Sequence, residues 1–221
     1  MHERRRPARP RATETKGKSL SRKMSWLLRH GLHKEGLTDC VRTDGFVPVS
    51  RVLPCLGHGV DVAAVRREVE TNDKQRFALL EEDGVLFVRA NQGHTVARGL
   101  DDDAMLEVLT AETAPATVVH GTYRHAWPAI RETGLNRMKR RHVHFATAVD
   151  PSRVVSGMRQ SAQVLIYLDA PRAIDAGLKL YRSANGVILC PGFEDGGIPA
   201  AFFSSVVDAE TGAELPRSEK T

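Results

Sequence analysis

Phe77-Ala78-Leu79-Leu80-Glu81-Glu82-Asp83-Gly84-Val85-Leu86-Phe87-Val88 decides the fold of the first half of the chain. Two short apolar runs flank Glu-Glu-Asp-Gly, and a polar, glycine-ended break between such runs is a β-hairpin signal. Upstream, Asp61 can cap a helix whose Val62, Val65 and Val69 share one face, and Ser50 can cap another through Val52 and Leu53. Before these, Thr43-Asp44-Gly45 is a turn signal followed by an extended Phe46-Val47-Pro48-Val49. Leu20, Met24, Leu27 and Leu28 recur at helical spacing, which predicts an amphipathic helix from Ser19 to about Arg29-His30-Gly31, with the glycine as its stop.

Helices followed by a hairpin make a small α+β module over residues 19–98 that resembles a winged helix. Downstream, residues 99–116 are acidic and read as a linker, although Met105, Leu106, Val108 and Leu109 predict a short helix inside it. Beyond it the chain becomes strand-rich: Thr117–His120, His142–Ala146, Val164–Leu168, Gly186–Cys190 and Phe202–Val207. Helices are expected around His125–Arg131 and Pro151–Gln160. Short strands with few helices predict a second α+β unit over 117–213, built on a mixed or antiparallel sheet, and a C-terminal tail over 214–221.

The chain has 221 residues and a formal charge of +5, from 32 Lys and Arg against 27 Asp and Glu. Residues 1–18 hold seven Lys or Arg and two Glu, so the rest balances at 25 against 25. A proline-containing, highly charged stretch almost without large apolar side chains is expected to be a disordered basic tail that adds salt-sensitive affinity for nucleic acid. Within the body, Asp101, Asp102, Asp103, Glu107 and Glu112 precede a cationic block, Arg124 to Arg141, opposed only by Glu132. No apolar run reaches the roughly 20 residues of a membrane span, and no secretory signal follows the N-terminal arginines. Cys40, Cys55 and Cys190 form neither a CxxC pair nor an even framework, which fits a reducing cytoplasm.

The sequence offers no catalytic carboxylate pair, HExxH, GxSxG or phosphate-cradling glycine loop; it offers instead arginines and histidines next to predicted element ends. Arg29-His30 at a helix end can bind a phosphate through a guanidinium fork and an imidazole, or can be a solvated C-terminal cap. Arg76, opening the hairpin, either points into a cleft or is exposed. Arg137-Met138-Lys139-Arg140-Arg141-His142-Val143-His144 places His142 and His144 on one strand face; it is an anion-binding segment or a solvated basic loop. Zinc is not expected there, because further ligands at sensible spacing are missing. Val119-His120-Gly121-Thr122 ends a strand where glycine permits close approach of a ligand, or where the histidine is structural.

Taken in order, these segments resemble the RNA 2'-phosphotransferase family. The matching pieces begin with Leu20-Ser21-Arg22-Lys23-Met24-Ser25, Leu28-Arg29-His30, Gly36-Leu37 and Asp44-Gly45-Phe46-Val47. Lys74-Gln75-Arg76-Phe77, Gln92-Gly93-His94, His120-Gly121-Thr122, Gly134-Leu135 and Arg140-Arg141-His142-Val143-His144 follow. Val155-Ser156-Gly157-Met158-Arg159, Asn185-Gly186-Val187 and Ile198-Pro199 complete a series over residues 19–207. Departures are Thr38-Asp39-Cys40-Val41, Phe46 in place of a common tryptophan, and Ile198-Pro199-Ala200-Ala201 without a second proline.

The resemblance implies an N-terminal winged-helix-like RNA lobe and a C-terminal lobe like that of ADP-ribosyltransferases, with NAD as co-substrate and no metal. It implies a tetrad around the RNA phosphate of Arg29, His30, Arg76 and Arg140; Arg141 is adjacent, and the order R-x-H-V-H selects Arg140. His120, Gly121 and Thr122, with His144, Gly157 and Arg159, would contact NAD. The implied reaction has an internal RNA 2'-phosphate attack the nicotinamide-bearing ribose carbon. The neighbouring ribose hydroxyl then attacks phosphorus, which leaves RNA with a free 2'-hydroxyl, nicotinamide and ADP-ribose 1'',2''-cyclic phosphate. His30 is the expected proton donor to the departing RNA oxygen. ADP-ribosylation of terminal nucleic-acid phosphates or another acceptor is the alternative activity. The expected protein is a cytoplasmic monomer.

Overall fold

The stretch 77–88 forms the predicted hairpin: β2 (Phe77–Glu82) and β3 (Val85–Ala90) pair antiparallel around Asp83-Gly84. Both turn residues have positive φ, 50° and 73°, the type I' geometry that matches the twist of paired strands. This computed structural model describes residues 13–95, 99–149, 158 and 161–217. β1 (Val47–Pro48) adds to the other edge of β3, giving the order β1-β3-β2.

Three helices cover this sheet: α1 (Thr13–Trp26), α2 (Val49–Leu56) and α3 (Val62–Thr71). Their apolar faces meet in one core that includes Met24, Leu27, Leu28, Val52, Leu56, Val65, Phe77 and Val88. Asp61 caps α3 as expected, accepting a hydrogen bond from Ala64 N at 2.7 Å. Ser50 does not cap α2; it lies inside the helix, whose cap position is Pro48. Val62 is exposed, because the first turn of α3 lies beyond the core. α1 starts at Thr13 and so takes in the last six residues of the expected basic tail; residues 1–12 lie outside the described residues. Elongating a helix already anchored by Met24 and Leu27 costs little per residue, so a polar stretch can continue it.

The second half holds α4 (Asp102–Met105), β4 (Glu107–Leu109), β5 (Val119–Thr122), α5 (Trp127–Thr133), β6 (Leu135–Asn136), β7 (Val143–Phe145) and β8 (Val164–Leu168). It continues with α6 (Ala170–Asp175), β9 (Leu180–Arg182), β10 (Ile188–Cys190), β11 (Gly197–Ile198) and β12 (Phe203–Asp208). Its sheets have the orders β4-β9-β10-β7, β12-β8-β5 and β11-β6, and every pair is antiparallel. Phe145, Ile166, Leu180, Ile188 and Ile198 form the centre of the core between them. The fold class is therefore α+β with small antiparallel sheets.

Two boundaries differ from expectation. The acidic stretch 99–116 supplies α4 and the edge strand β4, with Met105 and Leu106 buried against Tyr181, Val187 and Leu189. Its acids serve as counter-charges: Glu107 pairs with Arg182, and Asp103 accepts from the Tyr181 hydroxyl. The expected tail 214–221 is partly ordered on β12, where Leu215 N donates to Val206 O and the Arg217 guanidinium to Phe203 O. The helix expected over Pro151–Gln160 lies almost wholly outside the described residues. Among the described residues no helix is long and apolar enough to cross a membrane.

Candidate functional site

After Trp26 the first helix widens into a π-helical turn, Leu27–Gly31, which carries both Arg29 and His30. Leu27 and Leu28 are buried and anchor the turn, with Arg29 partly buried and His30 exposed after them. Such single turns recur at functional sites because they re-aim side chains without ending the helix. Gly31 closes it: a Cβ there would lie 2.8 Å from the Trp26 ring.

The Arg29 carbonyl accepts two hydrogen bonds from Thr95, from N at 3.1 Å and Oγ1 at 3.2 Å. Thr95 is also bridged antiparallel to Arg140, and Arg141 N donates to the His94 carbonyl at 3.2 Å. One backbone junction thus brings Arg29 from the first half beside Arg140 from the second. Gly93, with φ 89°, lets the Arg29 side chain pass close; a Cβ there would stand 3.3 Å from Nε.

Arg76 is placed by Asn72, a buried residue at the C-terminal cap of α3. The Asn72 Oδ1 accepts from both the backbone N and Nη1 of Arg76 at 3.2 Å, while its Nδ2 donates to Glu68 and Ser21. The same loop is held from the second half, where buried Asn185 donates to the Lys74 carbonyl at 2.9 Å.

These cations repel one another. Burial first, then the charges of Arg76 and Arg140, lower the pKa of Arg29 from 12.5 to about 10. Burial, Arg29 and Arg140 also lower His30 below 6.5. Arg29 Nε and Nη2 and His94 Nε2 are buried without a hydrogen-bond partner among the described residues. A buried unsatisfied donor costs about 1–3 kcal/mol, so the cluster stores a demand for an acceptor carrying negative charge. Burial and the neighbouring charge of Arg29 also push His94 down to about 3, which leaves it neutral.

Arg140 and Arg141 have different surroundings. Arg141 turns to Asp102, donating from Nε at 3.1 Å and Nη2 at 2.8 Å, and its Nη2 also reaches the Leu100 carbonyl. His142 Nε2 meets the other Asp102 oxygen at 3.0 Å. Burial raises the Asp102 carboxyl, but the hydrogen bonds from His142 and Arg141 outweigh it and hold it below the usual range. Arg140 is the one whose charge acts on Arg29, His30 and His144.

The residues expected to hold NAD lie where two sheets part. β5 and β7 are joined by the Val119–Ala146 bridge. Past it, His120 donates from Nδ1 to the His144 carbonyl at 2.9 Å and sets its ring edge-on to Phe145. His144 Nε2 lies 2.9 Å from Gln92 Oε1, and burial with the Arg140 charge lowers its pKa to about 3. Thr122 is buried at the end of β5. The space above Gly121 is taken by Ala162 and Met158, each 2.7 Å from where a Cβ would stand, so packing requires glycine here whether or not a ligand approaches it. Gly157 and Arg159 lie outside the described residues. A surface cleft of about 870 Å³ beside Arg131, Phe203 and Arg217 shares no residue with the cluster.

Sequence reasoning missed Asn72, Thr95 and Asp102. Thr95 and Asp102 act on partners distant in the chain, Asn72 acts on Arg76 only four residues on, and only the acidity of residues 101–103 hinted at counter-charges. Compared with known proteins, residues 15–192 match the family described as RNA 2'-phosphotransferase, Tpt1 / KptA family. The chain is 41% identical over 199 residues to tRNA 2'-phosphotransferase 1 of Danio rerio, covering 88% of this chain and 87% of that one. It is 38% identical over 208 residues to tRNA 2'-phosphotransferase 1 of Homo sapiens, covering 92% and 80%. It is 30% identical over 194 residues to a probable RNA 2'-phosphotransferase of Rhizobium rhizogenes, covering 87% and 95%.

Proposed function

The chain belongs to the RNA 2'-phosphotransferase, Tpt1 / KptA family, and on that premise we propose that it removes an internal 2'-phosphate from RNA with NAD as co-substrate. The observation that carries this reading is the buried, under-partnered Arg29 guanidinium amid Arg76, Arg140 and His30. A 2'-phosphate offers the acceptor oxygens and negative charge such a cluster lacks, and an arginine fork matches phosphate geometry. The first half is then the RNA lobe, of winged-helix kind, and the second the ADP-ribosyltransferase-like lobe.

Each residue has a defined task. Arg29 and Arg76 hold and orient the phosphate from the first half, and Arg140 closes on it from the second, which balances charge as phosphorus becomes crowded. His30, neutral in the unliganded protein, can take a proton from the attacking ribose hydroxyl and return it to the departing RNA oxygen. This extends the donor role expected from sequence, because an imidazole that rests unprotonated must take a proton before it can give one. For NAD, the residues fit in part: His120 and His144 sit at the parting of the sheets with rings fixed by backbone and Gln92 contacts, and Thr122 adds a hydroxyl. These three, with Gly121, Gly157 and Arg159, are the proposed contacts. When bound, NAD supplies an electrophilic ribose carbon with nicotinamide as leaving group.

The test is incubation with NAD and an RNA oligonucleotide bearing one internal 2'-phosphate. Dephosphorylated RNA, nicotinamide and ADP-ribose 1'',2''-cyclic phosphate are expected. An ADP-ribosylated oligonucleotide that goes no further would favour the terminal-phosphate or other-acceptor activity instead, and an absence of NAD consumption would refute both.

A further inference from the structure

Two large apolar side chains stay exposed beside the cationic cluster. Trp26 is 43% exposed and Met138 78%; the other exposed large apolar side chains among the described residues are the valines Val62 on α3, Val85 opening β3, Val108 on β4 and Val149. Trp26 immediately precedes the π-helical turn that carries Arg29 and His30. Its six-membered ring rests on the backbone of Gly31, which fixes the indole beside the turn that presents the arginine and histidine. Met138 precedes Arg140 by two residues at a loop tip held in the left-handed region, φ 55°, by the Asn136 side chain accepting from Met138 N at 2.7 Å. The Arg137 guanidinium braces the same loop through the Arg140 carbonyl at 3.1 Å.

Two of the three segments that carry phosphate-binding candidates thus also carry an exposed, pre-positioned apolar group. A protein partner would call for a contiguous apolar face. Isolated flat or polarisable groups alternating with arginines instead suit a single nucleic-acid strand, whose bases stack while its phosphates meet the cations. We propose that Trp26 is a nucleobase platform: it stacks a base next to the 2'-phosphorylated nucleotide, with Met138 touching the strand from the Arg140 side. This rests on the reading of the cluster as an RNA phosphate site. Because every base has a π-face, the platform recognises the presence of a base and tolerates its identity.

The test measures binding by anisotropy without NAD, so that no turnover intervenes, on the whole chain. The probes are an RNA oligonucleotide with one internal 2'-phosphate, the unphosphorylated oligonucleotide, and a phosphorylated one with abasic sites flanking the phosphate. Trp26→Ala should weaken binding of the first roughly five- to hundredfold and leave the abasic probe unchanged. Trp26→Phe should restore most of the loss, which a merely structural role for the indole does not predict. Equal weakening on the intact and abasic probes, or none on either, overturns the platform. If wild-type protein binds phosphorylated and unphosphorylated RNA equally, the phosphate site itself falls, a result that does not depend on Trp26.

Discussion

Replacing Arg29 by methionine should make the protein more stable and inactive. Methionine keeps an unbranched stem in the same space, and the two hydrogen bonds from Thr95 go to the backbone carbonyl, so they survive. What disappears is a cation held near two others, with two nitrogens unpartnered. A fall in pKa from 12.5 to about 10, at about 1.4 kcal/mol per tenfold change in proton affinity, means that folding around the charged form costs about 3 kcal/mol. The residue's partial exposure brings this to about 2 kcal/mol. For a chain of this size that corresponds to a rise in Tm of roughly 4–8 °C. The sign follows from linkage: Arg29 has its pKa depressed in the folded state, so the penalty is fully present below about pH 10 and relieved between there and 12.5. The gain should therefore be constant from pH 6 to 9 and shrink above 10. Calorimetry at several pH values, with 2'-phosphorylated RNA turnover measured alongside, is the assay. A Tm at or below wild type would show that Arg29 is a structural residue already satisfied in the folded protein, and the argument for an anion-demanding site would fail.

Other outcomes follow from the same contacts. His30 should titrate below 6.5 by NMR in the unliganded protein, and Arg140→Gln should raise its midpoint towards but not past that value, since burial and Arg29 remain; an unmoved midpoint would place Arg140 elsewhere. Asp102→Asn leaves Arg141 and His142 without their shared counter-charge at a half-buried position, which should cost about 2–3 kcal/mol and roughly 5–10 °C in Tm. Because the Asp102 carboxyl is held below 3.8 when folded, that deficit should be full at pH 5–8 and close as pH falls through the lowered value; a deficit unchanged at pH 3 contradicts the pairing. Gly134→Ala should lower stability by about 2–4 kcal/mol, since φ is 81° and a Cβ would come within 2.2 Å of the Ile198 carbonyl; a shift in Tm under 2 °C would refute it.

What the sequence disclosed was local. Asp83-Gly84 reveals the hairpin because two successive positive φ values favour those residues, and Asp61 reveals α3 because its carboxylate serves a nearby amide. Ser50 carries the same signal but sits one residue inside its helix, since the fixed φ of Pro48 starts the turn earlier. The π-helical turn was not legible: Leu27-Leu28-Arg29-His30 contains nothing that forbids an ordinary helix, and only packing on Gly31 and pairing with Thr95 account for it. Asp102 was legible as acidity but not as a partner of Arg141 and His142, some 40 residues away. Gly121 had a plausible local reason, ligand approach, where the structure offers a packing reason in Met158 and Ala162.

The hydrogen bond from Asn185 to the Lys74 carbonyl spans 111 residues, and it bears on the order of events during synthesis. Arg29, His30 and Arg76 leave the ribosome long before Arg140, and the tether to the Arg76 loop comes later still. A nascent chain therefore displays three of the four groups first, and completes the proposed phosphate site only when the second half has folded against them. Completion of the proposed phosphate site is thereby coupled to completion of the half proposed to hold NAD, so that on this reading the two substrates' sites are finished together.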